Sequence, residues 1–156
     1  MRIEGRALCM GADIDTDVII AGRYLRTKDR AVWAEHAFED LDPGLAARLH
    51  GTIIVAGKNF GCGSSREQAA VALKEAGVRG VIAPGFARIF FRNAINIGLP
   101  VAECACACRD GEPVVADLEK GTVTIGDREF LISPLSPRMV EILAAGGLVA
   151  WWRGRR

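Results

Sequence analysis

Two short apolar runs, residues 52–56 (TIIVA) and 80–84 (GVIAP), organise the middle of the chain. Runs of this length without polar alternation predict strands buried on both faces, as in a parallel sheet. Between them lie a Gly-rich stretch and a helical segment over 66–76. Strand, helix and strand in that order make a βαβ unit with a right-handed crossover. Residues 1–8 alternate in part and predict a leading strand, followed by the turn Gly11-Ala12-Asp13. A short β-branched run at 18–20 is broken at Gly22. Trp33, Ala37 and Leu41 recur at helical spacing with Phe38 beside them, which predicts a helix over 28–41 stopped by Asp42-Pro43-Gly44. Residues 87–97 predict another helix, and Gly98-Leu99-Pro100 turns the chain into a strand from Val101 to about Cys108. The segments 122–125 and 129–132 flank Gly126-Asp127-Arg128, a hairpin signal. Ser136 and Pro137 open the last helix as N-cap and first residue, and Gly146-Gly147 closes it. The pattern is that of an α/β fold with a mixed sheet.

Composition narrows the functional classes. The 156 residues are 50% hydrophobic and 25% charged, which suits one folded domain over 1–156 with a solvated basic tail at 151–156. Twenty basic against nineteen acidic side chains leave a net charge of +1, so no bulk cationic field is available for nucleic acid. No apolar run approaches the ~20 residues of a membrane helix, and the first residues carry charge where a signal peptide needs its apolar core. Five irregularly spaced cysteines imply reduced thiols and a cytoplasmic setting. Cys104, Cys106 and Cys108 alternate; on a strand they would lie about 7 Å apart on one face, a poor match for an iron–sulfur cradle. They read as small inert thiols, whereas Cys62 lies in the Gly-rich loop, where exposure would make it oxidation-prone. His36 and His50 are too few and too badly spaced for a metal site. Arg88 and Arg92, one turn apart, could make an anion-binding face, but a solvated or inter-subunit face is the better reading and no chemistry is assigned to them.

Candidate chemistry concentrates in GKNFGCGSSRE, which leaves a strand at its carboxyl end and opens a helix. Free N–H groups and the positive end of the helix dipole make that a place for anions. Lys58 stands at the wrong end for a phosphate-binding GxxxxGK[ST] loop, and neither GxGxxG nor GxSxG fits. Ser64 with Glu67, and Ser65 with Gln68, each match a capping box, so a plain helix start accounts for one serine. Arg66 is not accounted for in that way. A cation in the first turn opposes the dipole and asks for an anionic partner; two hydroxyls, N–H groups and a guanidinium make a compact carboxylate or phosphate site.

These residues, together with GADIDTDVII at 11–20 and ARIFFRNAINIGLP at 87–100, resemble the small-subunit family of 3-isopropylmalate dehydratase, the free-standing counterpart of the aconitase swivel domain. The likeness covers roughly residues 1–150, with the three motifs in the family's order. It implies a three-layer β/β/α swivelling domain of the aconitase C-terminal type. It implies a hydro-lyase active only with a large subunit, as a heterodimer or heterotetramer. That subunit would carry the 4Fe–4S cluster, leaving no metal in this chain, and its open iron would act as Lewis acid on the leaving hydroxyl. The substrate would be a small hydroxy di- or tricarboxylic acid, isomerised by dehydration and rehydration as in leucine biosynthesis. By the same resemblance Ser64 is the base, Ser65 and Arg66 hold a substrate carboxylate, and Thr16 and Asp17 form the active-site pair, Asp17 orienting a histidine of the large subunit. A serine base needs activation, which helix N–H groups and Arg66 would supply by stabilising the alkoxide. From the residues alone, Asp13, Asp15 and Asp17 also fit a turn of local side-chain-to-backbone bonds; no calcium-type pattern follows them. Ala21 stands where the family usually has proline, which loosens that turn.

Residues 22–27 match the loop that varies with substrate in this family. Arg26 suits a carboxylate-bearing arm, as in homoaconitase-like members, because a guanidinium buried against an isopropyl group would lack a partner. A solvated loop arginine is the other reading of Arg26. A stand-alone carboxylate-binding or regulatory module is the alternative function. It would need Arg66 and the N–H groups but no spare hydroxyl.

Overall fold

The computed structural model describes residues 1–155. Seven strands form one mixed sheet: β1 (Arg2–Cys9), β2 (Thr52–Val55), β3 (Gly80–Ala83), β4 (Val101–Glu103), β5 (Pro113–Asp117), β6 (Thr122–Ile125) and β7 (Arg128–Leu131), in spatial order β4-β3-β2-β1-β5-β6-β7. The β1–β2, β2–β3 and β3–β4 pairs are parallel, and β1–β5, β5–β6 and β6–β7 are antiparallel. Helix α3 (Glu67–Glu75) makes the expected crossover from β2 to β3, and α4 (Arg88–Ile97) leads from β3 to β4.

The apolar runs explain the layering. Ile53, Ile54, Val55 and all of β3 are buried, so the parallel half is covered on both faces. One face meets the helices. On the other, Ile3, Val114, Ala116, Val123 and Ile125 follow from strand to strand through the register and join the same core. The sheet curls far enough that Cys104, just past one edge strand, lies 3.6 Å from the carbonyl of Leu131 on the other. This is the three-layer β/β/α arrangement.

Several elements differ from the sequence expectation. Residues 18–20 belong to α1 (Thr16–Ile19) and its cap, because the Asp15 carboxylate accepts the Asp17 N–H at 2.8 Å and starts a helical turn. The helix expected over 28–41 is only α2 (Arg30–Glu35). Phe38 takes φ +59° and donates its N–H to Ile19 at 2.9 Å, which buries its ring and leaves Leu41 exposed. The strand expected to run to Cys108 ends at Glu103, because its partner β3 offers its last acceptor at Ala83, to Cys104 N–H at 2.8 Å, and Pro84 follows. Strand β5 and helix α6 (Leu148–Arg153) had no expectation. Ser136 caps α5 (Pro137–Ala145) as expected, accepting from Met139 N–H at 3.2 Å. Residues 151–153 of the supposed tail lie in α6, with Trp151 half-buried against the core; Arg156 is outside the described residues.

The reduced-thiol expectation fails at one pair. The end of β1 and the segment after β4 bring Cys9 and Cys108 to a Cα–Cα distance of 6.5 Å, and they are joined as a disulfide across 99 positions.

Candidate active site

The Gly-rich loop leaves β2 and is shaped by two tight approaches. Gly61 has φ +82°, and a Cβ there would lie 2.2 Å from the Phe90 ring. Gly63 has φ +89°, and a Cβ would lie 2.4 Å from the Asp15 carboxylate. Loop 57–63 is therefore pressed against α4 on one side and the aspartate turn on the other. Gly61→Ala should destabilise the fold by about 2–4 kcal/mol, or roughly 5–15 °C in Tm, since left-handed backbone and overpacking add. A thermal melt matching wild type would show that Phe90 gives way without penalty.

Neither capping box forms. Arg66 itself is the N-cap of α3, in extended backbone and with no side-chain cap bond. Ser64 and Ser65 are exposed, and their hydroxyls make no hydrogen bond to protein among the described residues. The guanidinium of Arg66, 19% exposed, turns back onto α1: it pairs with Asp17 at 2.7 Å and donates to the Ile20 carbonyl at 3.2 Å. Gly22 lies beside it: a Cβ there would stand 3.7 Å from both terminal guanidinium nitrogens, an ordinary contact. Thr16 is 2% exposed and its hydroxyl donates to the Ser64 carbonyl at 2.7 Å. Thr16 N–H donates to Cys62 at 2.8 Å. The threonine thus ties the aspartate turn to the serine loop. Asp13 accepts from Asn59 at 3.0 Å, a third tie between the same two loops.

Thr16, Ser64, Ser65 and Arg66 line a cavity of about 220 Å³, together with Arg88, Phe90 and Asn93 of α4. Asp17 reaches it through Arg66. Arg26 does not line it: the side chain is exposed and has no ion pair among the described residues. The loop that carries Arg26 is nonetheless held. Arg23 pairs with Asp40 at 2.7 Å and Glu39 at 2.9 Å, Tyr24 donates its hydroxyl to Glu39, and the Tyr24 ring stacks on His36 at 4.1 Å. Hydrogen bonds from Tyr24, His36 and Arg23 pull the Glu39 carboxyl down to about 2. Ala21 sits at φ −67°, the angle a proline would impose, so its departure from the family pattern leaves the turn unchanged. Asn93 has no role in the sequence reading, and Arg88, weighed there with Arg92 as an anion-binding face, is set aside in favour of a solvated or inter-subunit one.

Cys62 is half-buried, and its thiol is pushed up by burial and by the nearby Asp15 and Asp13 charges, which works against the oxidation expected there. Burial pushes Cys106 up to about 12 and also raises Cys104. With Cys9 and Cys108 bonded to each other, the cysteines make no cluster cradle, and no group of three or more metal-ligating side chains occurs among the described residues. No helix among the described residues is long and apolar enough to cross a membrane.

A serine–arginine loop at the carboxyl end of a buried parallel strand, tied to an aspartate turn and facing a second helix start, defines an aconitase C-terminal domain; the model of that family matches residues 12–103. The 3-isopropylmalate dehydratase small subunit of Moorella thermoacetica is 51% identical over 97% of this chain and 95% of its own length. The methanogen homoaconitase small subunit of Methanothermobacter thermautotrophicus is 52% identical over 94% of this chain and 88% of its own. The crystal structure of 3-isopropylmalate dehydratase from Methanocaldococcus jannaschii superposes with a TM-score of 0.93 at 45% identity, covering 99% of this chain and 95% of that one. The chain belongs to the small-subunit family of the 3-isopropylmalate dehydratases and homoaconitases, which are hydro-lyases.

Proposed function

We propose that this chain is the carboxylate-holding and proton-moving half of a two-subunit hydro-lyase that isomerises a small hydroxy di- or tricarboxylic acid, of the 3-isopropylmalate or homoaconitate type. The observation that carries the reading is a pair of serines, both free of capping duty, beside a largely buried arginine in one cavity. A helix start alone would have used one hydroxyl as its cap, and a pure anion binder would have no use for two.

Ser65 and Arg66 hold one substrate carboxylate, which takes up charge as the neighbouring C–H is lost. Ser64 takes that proton; the open first turn of α3 favours its alkoxide. Asp17 fixes the Arg66 guanidinium and orients a histidine of the large subunit. Thr16 positions the serine loop through the Ser64 carbonyl. A 4Fe–4S cluster in the large subunit would act as Lewis acid on the leaving hydroxyl, which departs as the proton is taken. The setting is the cytoplasm, where the thiol pool governs whether the Cys9–Cys108 pair is oxidised.

Arg26 selects the arm of the substrate. With the large subunit present, the pair should turn over a carboxylate-bearing arm at least as well as an isopropyl arm. Arg26→Val should lower kcat/KM for the former by roughly ten- to hundredfold, the worth of a charge-assisted hydrogen bond, and relax the site towards the latter. The measurement is the kcat/KM ratio for the two substrates before and after substitution. An unmoved ratio would place Arg26 in solvent and selection in the large subunit; no turnover on any hydroxy diacid or triacid would sink the hydro-lyase reading.

A further inference from the structure

Arg66 enters the cavity already compensated, by Asp17 at 2.7 Å and the Ile20 carbonyl at 3.2 Å. The second cation lining the cavity is Arg88, the first residue of α4 and an exposed side chain. Among the described residues no carboxylate pairs with Arg88, and its guanidinium donates no hydrogen bond to protein. Asn93, half-buried in the same wall, also leaves its amide unpaired among the described residues. An arginine at this position opposes the helix dipole, α4 has no acidic residue in its first turn, and Ala87 gives it no side-chain cap. A bound anion relieves all three. A substrate with two carboxylates has a second anionic group to be met, and Arg88 is the other cation lining this cavity.

We propose that Arg88, with Asn93 beside it, binds the substrate's second carboxylate. The cavity then grips a dianion between two helix starts, Ser65 and Arg66 at one end and Arg88 and Asn93 at the other. This rests on the hydro-lyase reading for its kinetics but not for its binding, and the two are separable by experiment.

In the pair reconstituted with the large subunit, Arg88→Gln should raise KM for a dicarboxylate substrate by roughly ten- to hundredfold, with kcat changed only a few-fold. Arg88→Lys should recover part of the loss, and Arg92→Gln, one turn further along and outside the cavity lining, should leave both constants unchanged. The full chain alone is then titrated with succinate, and with acetate as control, following backbone amide resonances. Succinate should move the amides of 64–66 and of 88–90 together; in Arg88→Gln the second set should stay still. If wild type shows no hydro-lyase turnover but both sets move with succinate, the functional reading fails and the dianion site stands. An unchanged KM, with or without weakened subunit association, overturns the proposal, as does a wild-type titration in which 88–90 do not respond.

Discussion

Ser64→Ala in the reconstituted pair should leave assembly and substrate affinity close to wild type and cut kcat by ~10²–10⁴-fold, the usual contribution of a positioned base. The reasoning is geometric. Among the described residues Ser64 hydrogen-bonds through its carbonyl, which accepts from the Thr16 hydroxyl at 2.7 Å, so removing the serine hydroxyl leaves the loop tied. Because α3 takes no cap from either serine, the substitution also spares the helix. The two roles are thereby separated: a capping serine would show its loss in a thermal melt, and a base shows it in kcat. If Ser64→Ala keeps full turnover while Ser65→Ala is dead, the base lies one residue further on. Full activity in both would remove proton transfer from this loop altogether.

The second large effect belongs to Arg66. Arg66→Ala removes a largely buried cation that holds Asp17, the Ile20 carbonyl and, in the proposed complex, a substrate carboxylate. Truncating one member of such a hydrogen-bonded set typically costs ~2–5 kcal/mol, or roughly 30- to several-thousandfold in kcat/KM. Arg66→Lys should recover only a fraction, because an ammonium cannot reproduce the planar fork that serves several acceptors at once. A kcat/KM within a few-fold of wild type for Arg66→Ala would remove it from the substrate's path.

The parts of the fold that could be read from sequence are those in which local pattern and tertiary role agree. TIIVA and GVIA read as doubly buried strands and are so, because each lies between helices and the curled antiparallel half. Ser136-Pro137 reads as a helix start since cap and first residue are local features. Where long-range contacts decide, the pattern misleads. Phe38 has the spacing of a helix face, yet its N–H goes to Ile19 and its backbone turns left-handed. Strand β5 begins at a proline and ends at an aspartate, and its pairing with β1 spans about a hundred positions, invisible to any local window. The Cys9–Cys108 bond has the same origin.

The site divides in the same way. The stretch Ser64, Ser65 and Arg66 is contiguous in sequence, and Thr16 and Asp17 lie against it, a pairing that the family resemblance alone suggests. That both serines are free of the cap was not legible, since the capping-box spacing is satisfied twice and only the extended backbone at Arg66 settles it. Arg88 shows in the sequence only as half of a possible anion-binding face with Arg92, and Asn93 not at all, because their nearness to the serine loop comes from Phe90 packing under Gly61. Arg26 was placed correctly in a loop; its exposure in this chain leaves its part to the assembled enzyme.

The loop carrying Arg26 is pinned just before that residue, by Arg23 on Glu39 and Asp40 and by Tyr24 on Glu39 and His36, and Trp33 donates to the Tyr24 carbonyl at 3.0 Å. None of these anchors is shared with the serine loop or with Arg66. Substitutions at 25–27 should therefore leave the groups proposed to handle the proton in place. If that stretch reads the substrate's arm as proposed, such separation gives a lineage a short path from one hydroxy acid to another: a gene duplicate could drift there while the serine loop stays intact, and a new specificity would need one or two codons rather than a rebuilt active site.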